Sequence, residues 1–162
     1  MNKMLLLFAL FIQLFVFCHK DQSSSDPEMD RILTEMLKLS HENVVIANKE
    51  LTIETYLWRD FMPVVVEPDG SPLMGSIRFI GQSGDILLNT ISISKVYVVN
   101  NQKIWICDSF ETRITENNVF EVIVSKGPKW EPDINVDVIC EFKNQGQSYR
   151  LITKSQKINA TY

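Results

Sequence analysis

From Val44 onward, apolar and polar residues alternate with a period of two, the spacing of strands with one buried face. Val44-Val45-Ile46 and Leu51 to Trp58 flank Ala47-Asn48-Lys49-Glu50 and predict a hairpin. Further strand-like segments cover 75–80, 90–99, 103–107, 119–124, 135–142 and 148–153. Turn formers separate them, at Gln82-Ser83-Gly84-Asp85, Asn100-Asn101, Asn117-Asn118, Lys126-Gly127-Pro128 and Asn144-Gln145-Gly146. Pro63, Pro68, Asp69-Gly70 and Pro72 mark one longer, turn-rich connection. Short strands at this spacing predict a mainly β fold, an antiparallel β-sandwich over residues 44–162. Within 136–142, Val136, Val138, Cys140 and Phe142 share the face expected to point inward, opposite Asp137 and Glu141. Tyr149 and Leu151 should point inward across a hairpin turn at Asn144-Gln145-Gly146.

Ahead of the strands the period changes. Asp26 can cap a helix, Pro27 suits its first position, and Glu28 favours the positive end of its dipole. Met29, Ile32, Leu33, Met36 and Leu37 recur at helical spacing. These residues predict one short amphipathic helix over 27–41, docked on the sandwich or on a partner. Placing Ile32 and Leu37 together on that docking face is part of the expectation.

Residues 1–18 read as a signal peptide. Lys3 is the only charge before residue 19, and Met4 to Phe17 is almost wholly apolar, too short to span a membrane comfortably. Cys18 closes that run, and residues 19–26 form a polar, Ser-rich tether. A cysteine at that junction resembles a bacterial lipoprotein, which implies lipidation at Cys18. Ordinary secretion with cleavage near Cys18 or Ser25 competes with it. Either way the chain is exported, to the periplasm, the outer envelope or the extracellular space, and a lipid on Cys18 would be its membrane contact.

Composition narrows the picture. The chain has 162 residues and a formal charge of -4. That length suits one domain after the leader is set aside, and a pI near 5.2 without basic clusters argues against nucleic acid as a partner. Of the three cysteines, Cys107 and Cys140 belong to the folded part. In an oxidising compartment they could form a disulfide; otherwise they are small buried apolar residues.

Tyr56-Leu57-Trp58-Arg59-Asp60-Phe61-Met62-Pro63, with Gly127-Pro128-Lys129-Trp130 and Val136-Asp137-Val138, resembles a group of small secreted bacterial proteins without a known function. The resemblance covers about residues 50 to 162 and implies an immunoglobulin-like sandwich. It implies no reaction. Trp105 precedes Cys107 rather than lying between two cysteines, so the antibody-type spacing is absent.

Catalytic chemistry is sparse. His19 and His41 are the two histidines, too few for an ordinary zinc or copper centre, and no cofactor or metal site is expected. Asp133-Ile134-Asn135-Val136-Asp137 opens like a calcium loop but has Val138 where glycine is required. Ser92-Ile93-Ser94-Lys95 matches a nucleophile motif that needs a helix start, yet it lies in an alternating strand. Asn159-Ala160-Thr161 is a glycosylation sequon of a kind common by chance.

Trp58, Arg59, Asp60 and Phe61, with Trp130 in a second loop, form the candidate recognition surface, since aromatics and arginine in loops typify such surfaces. The competing expectation has Trp58 and Trp130 plugging the ends of the sandwich, with Arg59 and Asp60 as a local ion pair. The functional expectation is a non-enzymatic secreted or envelope-anchored module that binds a protein or surface glycan through its loops. A periplasmic small-ligand or metal carrier is the alternative, and a hydrolase is the minority reading.

Overall fold

A computed structural model of the chain describes residues 27–62, 69–81, 90–115 and 119–162. The signal peptide, Cys18 and the tether lie outside the described residues. Among the described residues one helix, α1 (Pro27–Lys38), precedes nine strands: β1 (Asn43–Ile46), β2 (Lys49–Asp60), β3 (Met74–Gly81), β4 (Ile91–Asn100), β5 (Lys103–Cys107), β6 (Glu111–Ile114), β7 (Phe120–Val124), β8 (Asn135–Asn144) and β9 (Gln147–Thr161). Strands hold 61% of the described residues, so the mainly β expectation stands. No helix among the described residues is long and apolar enough to cross a membrane.

The strands form one curled mixed sheet in the order β5-β4-β8-β9-β2-β3-β7-β6, with β1 on β2. Tight turns set its local registers. Ala47 and Asn48 both take positive φ between Ile46 and Lys49, the backbone that a two-residue hairpin between twisted strands requires. Gln145 and Gly146 repeat this between Asn144 and Gln147. The predicted turn and the β8–β9 hairpin are therefore both present.

β9 is the unusual strand. Its first part pairs antiparallel with β8, and Leu57↔Ile158 through Asp60↔Thr161 then pair it parallel with β2. The change of neighbour follows a bulge: the β8–β9 register slips between Val136 and Val138, and Ser155 takes a φ of 53°. The Ser155 N–H donates to Asp137 Oδ1 at 3.0 Å, so the irregular backbone keeps a partner.

Curling brings inward faces from both ends of the strand order into one core. Val136, Val138, Cys140 and Phe142 of β8 lie there as their alternation predicts, with Leu151, and Tyr149 packs against its margin. Phe79 of β3 meets Phe142 edge-on at 5.3 Å between ring centroids. Edge-to-face contact at that distance adds about 0.5–1.5 kcal/mol beyond area burial.

A smaller apolar cluster lies on the other face of β4 and β8. Tyr97, Val99, Ile139 and Ile152 gather there under Leu37, with Leu33 at the edge. Helix α1 is thus docked through Leu37, whereas Ile32 is exposed. The expectation that both residues dock holds for Leu37 alone. Ile32 and Leu37 are five residues apart and lie about 140° apart around a helix, so one docking face does not take both.

Cys107 and Cys140 are free, buried thiols. Both pair with Val96, Cys107 from β5 and Cys140 from β8. Two strand spacings separate them, about 9.5 Å, beyond the roughly 7 Å that a disulfide tolerates. The disulfide considered from the sequence is not made, and the buried-thiol alternative describes the pair. Burial raises the Cys107 thiol above its ordinary value, and pushes that of Cys140 far above it.

Candidate recognition surface

The five residues expected to form one surface divide between two sides of β2. Alternation sends Leu57 and Arg59 inward and Tyr56 and Trp58 outward.

Arg59 is 2% exposed, and its guanidinium ties three segments together. Nε donates to the Ser71 carbonyl at 2.8 Å. One terminal nitrogen donates to the carbonyls of Trp130 at 3.0 Å and Lys129 at 3.4 Å. The other donates to the Asp69 carbonyl. The Phe61 ring covers the charge, with the guanidinium carbon 5.0 Å from its centroid.

The expected Arg59–Asp60 pair does not form. Asp60 Oδ1 instead accepts from the Met62 N–H at 2.9 Å, and the Asp60 N–H donates to the Ser71 hydroxyl at 2.7 Å. Backbone carbonyls, arranged in a fan, take the place of a carboxylate around Arg59. A planar fork with five N–H donors suits that arrangement. Outside this fan, Lys129 Nζ reaches Asp69 Oδ1 at 2.7 Å, and that hydrogen bond holds the Asp69 carboxyl below its ordinary range.

Trp130 packs against the core, as one of the two sequence expectations has it. Phe61 lies beside Tyr162, with ring centroids 5.9 Å apart. Arg59, Phe61 and the Trp130 main chain therefore come together, and Trp58 stands apart.

Trp58 belongs to the outward face of β2, β3, β7 and β6. It stacks with Tyr56 at 5.6 Å and an interplanar angle of 29°. Tyr56 is 52% exposed and Trp58 is half-buried. Register places Met74 opposite Trp58, and Ser76 opposite Tyr56. Next along the strands comes a row of charge: Glu54 on β2, Arg78 on β3, Glu121 on β7 and Arg113 on β6 lie side by side. Arg78 reaches Glu54 at 3.0 Å, and Arg113 reaches Glu121 at 2.5 Å. The Ser76 hydroxyl donates to the other Glu121 oxygen. That bond first, and then Arg113 and Arg78, holds the largely buried Glu121 carboxyl below its ordinary range.

This face was only half legible in the sequence. Trp58 stood out; Tyr56, Glu54, Arg78 and Glu121 did not enter the predicted site. The available signal was the period of two, which puts Glu54, Tyr56 and Trp58 on one side. Their neighbours on β3 and β7 depend on strand order, which alternation does not specify.

The other sequence candidates have structural roles. Ser92 and Lys95 are exposed on β4, on either side of a register irregularity. Asp133 pairs with Lys157 at 2.6 Å, and Asp137 accepts from the bulge at Ser155. The Asn159 side chain donates to the Leu57 carbonyl at 2.9 Å, bracing β9 on β2. Among the described residues, no three His, Cys, Asp or Glu side chains gather as metal ligands do.

Comparison with known proteins returns no matching family model and no matching curated protein.

Proposed function

We propose that the chain is a non-enzymatic, exported recognition module whose outward β2–β3–β7 face binds a surface glycan. The carrying observation is the Tyr56–Trp58 stack, an outward aromatic platform on regular strands with Tyr56 exposed and Trp58 half-buried. Aromatic rings offer flat apolar surface to the C–H face of a sugar ring. In the adjoining row the exposed Glu54, Arg78 and Arg113 supply an acceptor and donors for hydroxyl groups, and with the buried Glu121 the charges of the row cancel. That balance suits a neutral polyhydroxylated ligand better than a strongly charged one.

The immunoglobulin-like sandwich belongs to the same proposal. Packing of Phe79 on Phe142 between distant strands supports it, and the parallel β2–β9 pairing is the bridge that joins its two layers. Arg59 serves the module by fixing loops at one end, and a leader over residues 1–18 delivers it outside the cytoplasm.

Retention on immobilised envelope polysaccharides tests the reading. The wild type should be retained, and a Tyr56→Ala, Trp58→Ala double variant should lose about tenfold or more in affinity while still folded, as loss of central aromatic anchors does. Equal retention of the two would sink the proposal. Absence of glycan binding together with crosslinking to one envelope protein would move the same surface to a protein partner.

A further inference from the structure

Helix α1 leaves part of its surface uncovered in a specific pattern. Leu37 is docked and Leu33 lies at the edge of its cluster, while Met29, Ile32, Met36 and Leu39 are 56%, 41%, 50% and 81% exposed. Steps of three and four residues place Met29, Ile32 and Met36 along one flank, about 10 Å from end to end, and Leu39 follows in the turn just after the helix. Glu28, Arg31 and Glu35 occupy the neighbouring flank and bind one another, with Arg31 holding both carboxylates.

Pro27 begins the helix nine residues after Cys18, and nine extended residues reach at most about 30 Å. An acyl group on Cys18 would therefore hold α1 within reach of the bilayer surface. A second copy is a poorer occupant. Twelve residues make a helix only about 18 Å long, and two such flanks alone cannot supply the roughly 1,200 Å² that a stable pair buries.

We infer that the Met29–Ile32–Met36–Leu39 flank rests on the lipid surface, so that α1 is a second, shallow membrane contact beside the anchor. The inference rests on the reading of Cys18 as lipidated, and it does not depend on the glycan proposal. A lone acyl chain binds reversibly, and stable attachment takes two signals. The helix charges, two cations against three anions over Pro27–Lys38, favour a zwitterionic surface over an anionic one. Docking here would also fix the orientation of the sheet, because Leu37 is held rigidly against β4 and β8.

The full chain, isolated from membranes and reconstituted in phosphatidylcholine vesicles, provides the test. Met36→Cys and Glu35→Cys are each labelled with an environment-sensitive dye; Cys107 and Cys140 are buried, and the unsubstituted chain gives the labelling background. Flotation with the vesicles reports the anchor, and quenching by doxyl-labelled lipid reports the helix. The inference expects flotation of both, with quenching at position 36 at least about twofold stronger than at 35, the contrast an interfacial helix gives. Flotation with equal quenching would leave the anchor standing and overturn the helix contact. Position 36 shielded only at high protein density, and insensitive to doxyl lipid, would assign the flank to a second copy and overturn it as well. Failure to float would refute the lipid anchor and the helix contact together.

Discussion

Replacing Arg59 by Met tests the role of the buried guanidinium most directly. Methionine keeps much of the apolar stem and removes every donor. Four carbonyls, those of Asp69, Ser71, Lys129 and Trp130, lose their shared partner. Hydrogen bonds to a charged group contribute about 1.5–3 kcal/mol each, but they do not add, and the substitution also removes the cost of burying a charge. The net loss should be about 2–4 kcal/mol. At roughly 3–5 °C per kcal/mol for a domain of this size, the melting temperature should fall by about 10 °C. Arg59→Lys should lose most of the same stability, since one ammonium cannot span three segments. Thermal unfolding followed by tryptophan fluorescence gives the magnitude. Amide exchange gives the location, because the Ser71 N–H donates to the Asp60 carbonyl at 2.7 Å and should lose protection first. An Arg59→Met protein that melts within about 2 °C of wild type, with Ser71 still protected, would refute the clamp.

Three further outcomes follow from the same geometry. Glu121 has a folded value depressed below its ordinary 4.5, so its contribution is present above that pH and is lost as pH falls through the folded value; melting temperature should drop as pH falls below 4.5, and Glu121→Gln should flatten that slope. Parallel slopes for the two proteins would count against the network. Cys107 and Cys140 should resist alkylation in the folded chain and both react in denaturant without reductant, as free buried thiols do; recovery of either only after reduction would restore the bridge. Leu37→Ala should cost about 2–4 kcal/mol and Ile32→Ser less than about 0.5, since the first is buried and the second is not, and equal losses would mean that the helix docks differently.

Strand-by-strand alternation gave most of the fold, because one-sided burial has a local signature. Val136, Val138, Cys140 and Phe142 were readable without any knowledge of their neighbours. Helix α1 was readable too, from Pro27 and its apolar spacing. Its docking edge was not, since both Ile32 and Leu37 are apolar and only contact with Tyr97 and Ile139 selects between them. The disulfide possibility failed for a non-local reason: β4 lies between the two cysteine strands, and no sequence spacing announces strand order. Arg59 escaped in a similar way. Its partners are backbone carbonyls contributed by two distant loops, and carbonyls have no side-chain identity to read. Asp60, adjacent in sequence and opposite in charge, was the natural partner and the wrong one.

The dual pairing of β9 has a kinetic consequence. Asn159 and Leu57, which the strand joins, are 102 residues apart, and the parallel segment Ile158 to Thr161 is what completes β2 at its inner end. Neither half of the curled sheet can find its final neighbour until that distant strand is available, so closure must wait for the costliest loop. Until then the Leu57–Asp60 end of β2 presents an unpaired edge beside a largely apolar core. The interval between collapse and closure is when this chain is most exposed to aggregation, and a chaperone acting on it would need to cover β2.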